Sequence, residues 1–463
     1  MLKYQEKSIN TKPLLDEEDT DSDIDNEIVI STNDSNDRNI DYVFKTGQPA
    51  DNYYLAYIIF YLFGITSLLP WNFFITADNY WMYKFRDPHA KQIHPNVALN
   101  LTQRTPLQAE FITYLNVASN IPSIAFLILN AFLTKKIALQ YRIIGSLISM
   151  LILFIVTTIF VQINTDSWQQ HFFVLTIATV VLLNAVSAVL CGSIFGMVAK
   201  FPAKYITAVV GGQALGGIFA AIAQIVSLAI GASSVHSAFV YFMIANITIV
   251  FCLIAYLFLS KSIFFKHIVQ NEPDGAYTYD ETTNIVSHRT ILKKIWLHGV
   301  SVLLVFMVTL SVYPGITVLI ESKNRGNGNR WNDLYFVPVV AFLLVNCSDY
   351  SGRLLAGFFQ RPERKSLLII FNLLRIIFVP LLLFCNAQPR HSLPVLIKED
   401  YHYIIILNLF ALTNGYLTNL PVICTSRIVD EHEKESASAL IAVFLGLGLT
   451  LGSAINLILV KIL

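Results

Sequence analysis

Charge is scarce in this chain. Of its 463 residues only 14% are charged, against about a quarter in an ordinary soluble domain. That shortage, beside a hydrophobic fraction of 55%, excludes a freely soluble globular protein and places the chain in the membrane class. The charges nearly cancel, to a net +1, so no nucleic-acid-binding surface is expected. Cysteine is also rare. The five residues Cys191, Cys252, Cys347, Cys385 and Cys424 all lie in apolar segments without a CxxC pair. That argues for small packing residues, not for disulfides or metal ligands. No HExxH, GxSxG or Walker pattern occurs, so nothing marks an enzyme, and no metal or cofactor is implied. Lys and Arg are missing altogether from 16–37, which holds ten acidic residues. Such a run repels itself and buries nothing, so 1–50 is expected to be a disordered acidic cytosolic tail. It contains no apolar stretch of signal-peptide type.

Long apolar runs are what the chain has instead. A bilayer core of about 30 Å asks for about 20 apolar residues per helix. Eleven runs qualify, at 54–77, 109–133, 142–163, 172–198, 205–230, 236–260, 296–320, 334–359, 366–387, 402–426 and 437–461. The expected fold is therefore an all-α integral membrane protein of eleven spans in a lipid bilayer. Lys and Arg gather in the loops 134–141, 199–204, 261–295, 360–365 and 427–436, whereas 164–171 and 231–235 hold none. The positive-inside bias then puts the N-terminus in the cytosol. The sequon Asn100-Leu101-Thr102 falls on the opposite side, where glycosylation occurs. Loop 261–295 divides the spans into six (54–260) and five (296–463). Two bundles joined by a soft linker suit a transporter that rocks about a central site. Spacing alone suits a channel or a receptor as well.

Polar groups inside the spans mark where chemistry lies, because an Asp or Arg in lipid costs about 2.5–3.5 kcal/mol on insertion scales. Asp349 and Arg353 stand one helical turn apart in NCSDYSGRLLAG, on one face with Asn346. Ser348 and Ser351 are on the same helix. Arg375 has no neutralising neighbour in sequence, and either pairs with Asp349 across helices or serves packing. In SLLPWNFFITADNYW, Pro70 bends the first span and is followed by Trp71 and Asn72, a flat ring beside an amide. GGQALGG (211–217) and GLGLTLG (446–452) read as close helix packing, with Gln213 as a polar group that needs a partner. Six histidines, His89, His94, His171, His236, His391 and His402, fall near the non-cytosolic face, as solvated residues or as sensors of lumenal pH.

Taken together these stretches resemble the equilibrative nucleoside transporters, from about residue 54 to the C-terminus. The carrying segments are GITSLLPWNFFITADNYW, NVASNIPS (116–123), GGQALGG, SDYSGRLLAG, FVPLLLFCNAQPR (378–390), TNGYLTNLP (413–421) and FLGLGLTLGSA (444–454). Within that family FFITADNYWMYKFRD, NTDSWQQHFF and VYPGITVLIESKNRGNGNRW look most like the lysosomal, acid-favouring type. The resemblance implies an eleven-helix, major-facilitator-like fold with one central cavity that passes nucleosides such as adenosine and uridine. Protons from an acidic lumen and sorting adaptors at the tail are further expected partners. By the same resemblance Asp349 and Arg353 contact the nucleoside, Trp71, Asn72, Leu68 and Ile75 frame the base, and Asn120 and Ser123 face the cavity. Cys191 stands where some plasma-membrane members carry a glutamine, whose amide hydrogen bonds it does not supply. The Leu14-Leu15 pair has Asn10 four residues upstream, where an acidic sorting signal has an acid. A late endosomal or lysosomal location is expected, with the plasma membrane as the alternative. The rival reading is a nontransporting receptor or scaffold working through the tail, with Thr20 and Ser22 as phosphorylation candidates, and through loop 261–295.

Overall fold

The computed structural model describes residues 51–87, 105–134, 136–231, 233–270, 288–361, 365–388, 390 and 392–463. The tail 1–50, Asn100, His89, His94 and His391, and 271–287 of the long loop lie outside the described residues.

Helices make up almost all of what is described. The first predicted span is two helices, α1 (Leu55–Ser67) and α2 (Leu69–Thr76), which meet at 49°. The break falls beside Pro70, which has no N–H to give to the preceding turn. A short α3 (Asp78–Lys84) follows. Next comes α4 (Pro106–Leu133). Its start is fixed by a reciprocal cap: the Thr105 hydroxyl accepts from the Gln108 N–H at 3.2 Å, and the Gln108 side chain accepts from the Thr105 N–H at 2.9 Å. Then run α5 (Leu139–Gln162), α6 (Gln169–Val198), α7 (Ala203–Ile230) and α8 (Ser234–Lys261). α9 (Ile263–Gln270) and the first turns of α10 (His288–Val312) occupy part of the stretch read from sequence as the loop 261–295.

The eighth predicted span begins as π-helix (Trp331–Tyr335 and Val337–Leu344) and continues as α11 (Val345–Phe358). The ninth is broken. α12 (Lys365–Leu374) passes through a 3₁₀ turn at Arg375–Ile377 into α13 (Phe378–Leu383), because Pro380 cannot donate to the carbonyl one turn back. α14 (Asp400–Ile428) and α15 (Lys434–Ile462) complete the chain.

By length and hydropathy, nine helices among the described residues are able to cross a membrane, or ten with the bent α1–α2 pair counted as one span. α4 falls short because only Val117–Leu133 is apolar; its first turns carry Gln108, Glu110, Thr113 and Asn116. The ninth predicted span ends early, at Leu383 and not at 387, while the seventh leaves α-helix at Val312 and runs on through turns and a 3₁₀ helix at Thr317–Leu319. The apolar residues beyond fold into a corner in which Ile320 pairs with Ala387 and Cys385 with Ile397.

Large apolar side chains face outward along these helices, for example Ile152 (56% exposed), Phe251 (61%) and Ile377 (62%). In water such a belt would be a liability; in lipid it is the solvent-facing surface. Inside, helices cross where side chains vanish. At Gly64 and Gly212, α1 and α7 approach so closely that an added methyl would meet the Val209 carbonyl or the Tyr61 carbonyl. Gly352 and Gly415 do the same for α11 and α14. The second crossing presses α14 against the turn that carries Asp349.

Candidate functional site

A cavity of about 230 Å³ lies among α1–α2, α4, α6, α7, α10, α11, α14 and α15. Asp349 and Arg353 stand on its wall and, among the described residues, are the only charged ones that line it. They form an ion pair within one helix, Arg353 Nε donating to Asp349 Oδ2 at 2.7 Å, with both residues under 10% exposed. A buried pair is kept only when further hydrogen bonds support it, and both partners have them here. Arg353 Nη1 donates to the Val210 carbonyl at 2.6 Å and to Gln213 Oε1 at 3.3 Å. Asp349 Oδ1 accepts from Asn414 Nδ2 at 2.6 Å. Gln213, left in the sequence reading as a group needing a partner, therefore accepts from Arg353 and also donates to Ser67 Oγ at 3.3 Å.

The predicted site residues converge. Leu68, Trp71, Asn72 and Ile75, carried inward by the α1–α2 bend, line the cavity with Asn120 and Ser123 of α4, Cys191 of α6, Gln213 of α7 and Asn346 of α11. Asn120 Nδ2 reaches Ser453 Oγ at 3.1 Å, linking α4 to α15. Cys191 is 3.9 Å from Gln213 Nε2, so it stands next to the polar corner of the site.

Other polar residues singled out in the sequence lie away from the cavity. Ser348 and Ser351 do not face the cavity: Ser348 bonds Asn408 at 2.5 Å, and Ser351 points outward to bond its own backbone. Arg375 makes no ion pair with Asp349. Its guanidinium lies behind the wall, donating to Thr309 Oγ1 at 3.1 Å, Thr413 Oγ1 at 3.3 Å, Asn414 Oδ1 at 3.4 Å and the carbonyls of Val305 and Phe410. The amide of Asn414 stands between the two charges. Finally, His171, His236 and His402 are exposed and none lines the cavity.

Sequence reading missed Thr309 of α10, Tyr313 just past its end, Asn184 of α6, Gln224 of α7 and Asn414 of α14, all in the lining. Asn414 had a usable signal, since an amide in the middle of an apolar span must find partners. Thr309 had none, because a lone Thr bonds its own helix cheaply.

The two ends of the cavity differ. Towards the ends of α2, α7 and α10 the lining continues through Ile75, Gln224 and Pro314. At the opposite end the helices are locked. Asn419 Nδ2 of α14 donates to Thr207 Oγ1 of α7 at 3.1 Å and to the Arg353 carbonyl at 2.8 Å. Further on, the buried Arg142 of α5 pairs with Glu435 of α15 and donates to Asn130 at 3.2 Å and Ser193 at 3.3 Å. At the edge, Lys294 bridges Asp430 at 3.0 Å and Glu433 at 2.7 Å.

A mostly apolar cavity with a few convergent polar groups, enclosed by a bundle of apolar helices and locked at one end, is the arrangement of a membrane transport protein. A solved structure agrees on the fold. The crystal structure of the Major Facilitator Superfamily transporter FucP in the outward conformation matches with a TM-score of 0.52 at 13% identity, over 88% of this chain and 97% of that one. Sequence relatives narrow the class. The family model described as "Nucleoside transporter" matches residues 177–289 and 275–461. The chain is 32% identical to equilibrative nucleoside transporter 1 of Rattus norvegicus, over 89% of this chain and 98% of the relative. It is 33% identical to equilibrative nucleoside transporter 2 of Homo sapiens (88% and 97%) and 32% identical to equilibrative nucleoside transporter 3 of Rattus norvegicus (88% and 89%). The chain belongs to the nucleoside transporter family and is an integral membrane protein.

Proposed function

We propose that this protein carries nucleosides such as adenosine and uridine across a membrane down their gradients, by alternating access to the cavity described above. The observation that supports this reading is the buried Asp349–Arg353 pair on the cavity wall, beside Trp71, Asn72 and Gln213 and an apolar wall. A ribose offers hydroxyls that both accept and donate, which Arg353 and Asp349 complement. A planar base fits the flat ring of Trp71 and the apolar side of Leu68 and Ile75. Cys191 replaces an amide donor at the base end, so base preference here rests on Gln213 and Asn184.

In this reading the chain has eleven spans, arranged as bundles of six and five, with the N-terminus in the cytosol and α4 counted as a span. The sealed end is then cytosolic, and the state is outward-facing or occluded. Sorting adaptors act at the N-terminal tail, and Asn100 carries a glycan. The lysosomal, acid-favouring type is the proposed subtype, on the segments quoted from the sequence. The test is uptake of labelled uridine and adenosine into proteoliposomes of the purified full chain, at roughly pH 5.5 and 7.4, values that bracket the unperturbed histidine pKa. Saturable uptake that is faster in acid supports the lysosomal type. Saturable uptake indifferent to pH keeps the carrier and moves its address to the cell surface. No uptake above protein-free vesicles, by protein shown to be folded, overturns the carrier and leaves the scaffold reading.

A further inference from the structure

Three cations and anions stand at the heart of the bundle, and they do not cancel. Asp349 and Arg353 neutralise each other at 2.7 Å. Arg375 is 2% exposed and makes no ion pair among the described residues; every bond it forms is to a hydroxyl, an amide oxygen or a carbonyl. Three of the residues it touches, Thr309, Phe410 and Asn414, are themselves cavity wall. Its guanidinium also lies over the Phe410 ring, 5.0 Å from the centroid. Only one layer of side chains therefore separates an unneutralised cation from the solute. On its other side Arg375 borders an apolar cleft of about 1020 Å³ among α11, α12 and α14, where no acid is present among the lining residues. Low-dielectric surroundings on both sides carry the field of a buried charge far better than water does.

We propose that Arg375 acts as a specificity-determining residue, giving the cavity a net positive potential that turns away cationic nucleosides while leaving neutral ones unaffected. The inference rests on the nucleoside reading of the site. The geometry makes Arg375 suited to this role because it cannot touch the solute. Asn414 holds its oxygen toward Arg375 and its amide nitrogen toward Asp349. Thus Asp349 already has both oxygens engaged, by Asn414 and by Arg353, and offers an incoming cation no free carboxylate.

Two isomers differing in charge provide the probe. N6-methyladenosine is neutral in mildly acidic buffer, whereas 1-methyladenosine is cationic there. The full chain in proteoliposomes should take up the neutral isomer and prefer it by roughly tenfold, the ratio produced by about 1.4 kcal/mol. Because the methyl group also changes shape, the decisive quantity is how that ratio moves between variants. R375K keeps the charge but not the guanidinium fork, and should keep most of the ratio. R375Q removes the charge and should bring the ratio down several-fold, with the KM for adenosine little changed. An R375Q ratio equal to the wild-type value would overturn the proposal, as would equal uptake of both isomers by the wild type. Should R375Q fail to fold, the wild type alone decides. Uptake of 1-methyladenosine relative to its isomer should climb as the buffer passes the ring pKa and the neutral imino form appears, and a flat profile overturns the proposal. Failure to transport adenosine itself would instead remove the substrate reading, and this inference with it.

Discussion

Among the described residues, two arginine–carboxylate pairs set a buried arginine in this bundle against an acid, Asp349 buried and Glu435 partly so, and they are built differently. Arg353 and Asp349 belong to one helix, four residues apart, and face the cavity. Arg142 and Glu435 belong to helices at opposite ends of the sequence and lie at the sealed end. A pair within one helix moves as a unit when helices rock. A pair between helices survives only while those helices stay together. The first is thus suited to recognition in every state, the second to holding one state. Removing one partner of a buried pair costs about 3–5 kcal/mol in either case, because the other charge is left unpaired. The difference lies in what that cost changes.

The largest effect is expected at the recognition pair. Arg353→Ala should reduce uridine and adenosine flux by at least about a hundredfold, the scale of a lost pair of charge-assisted hydrogen bonds, while surface expression persists. Normal flux through that variant would remove Arg353 from the site. Next comes the locking pair. Glu435→Gln should favour the state open at the presently sealed end, by roughly tenfold or more. A cysteine placed near Ser193 should then label faster from that side. Unchanged labelling would mean that Asn419 and Lys294 hold the seal without it.

Packing comes third. Gly415→Ala drives a methyl into the Asp349 carbonyl, and overpacking of this kind costs about 1–3 kcal/mol. Melting temperature and flux should fall together, whereas a glycine away from a crossing, such as Gly145, should tolerate Ala. Cys191→Gln adds an amide next to Gln213 and should change the ratio of purine to pyrimidine KM by a factor of a few. The smallest effect concerns pH. The Lys294 bridge holds the carboxyl of Asp430 below its ordinary value of 3.8. A lowered carboxylate contributes above that value and loses its contribution as pH falls through the folded one. The bridge should therefore be indifferent to a change between neutral and mildly acid solution, and Lys294→Met should leave that part of the pH profile unmoved.

Much of this was legible before any coordinates. Apolar runs of span length located the helices, since backbone groups in lipid leave little choice but helix. Charges within those runs pointed to residues that line the cavity, since their cost must be met by a partner. What stayed hidden was depth and direction. Periodicity put Ser351 on the same helix as Asp349 but did not say which polar face met a neighbour. The ends of α-helix at Val312 and Leu383 precede pairings of Ile320 with Ala387 and Cys385 with Ile397 that no local pattern announces. Arg375 looked like a partner for Asp349 because both are charged and buried. That an asparagine would stand between them depends on the Gly352–Gly415 crossing, a tertiary fact.

Arg353 has a second consequence for traffic. Besides its own helix it grips α7, through the Val210 carbonyl and Gln213. Under the proposed function, the carrier is thus stapled across its midline by the group that would greet the cargo. Cargo that takes over those donors loosens the staple, so the loaded form crosses more readily than the vacant one. Exchange of solute for solute should then outrun one-way flow, and the vacant return should set the pace of net movement.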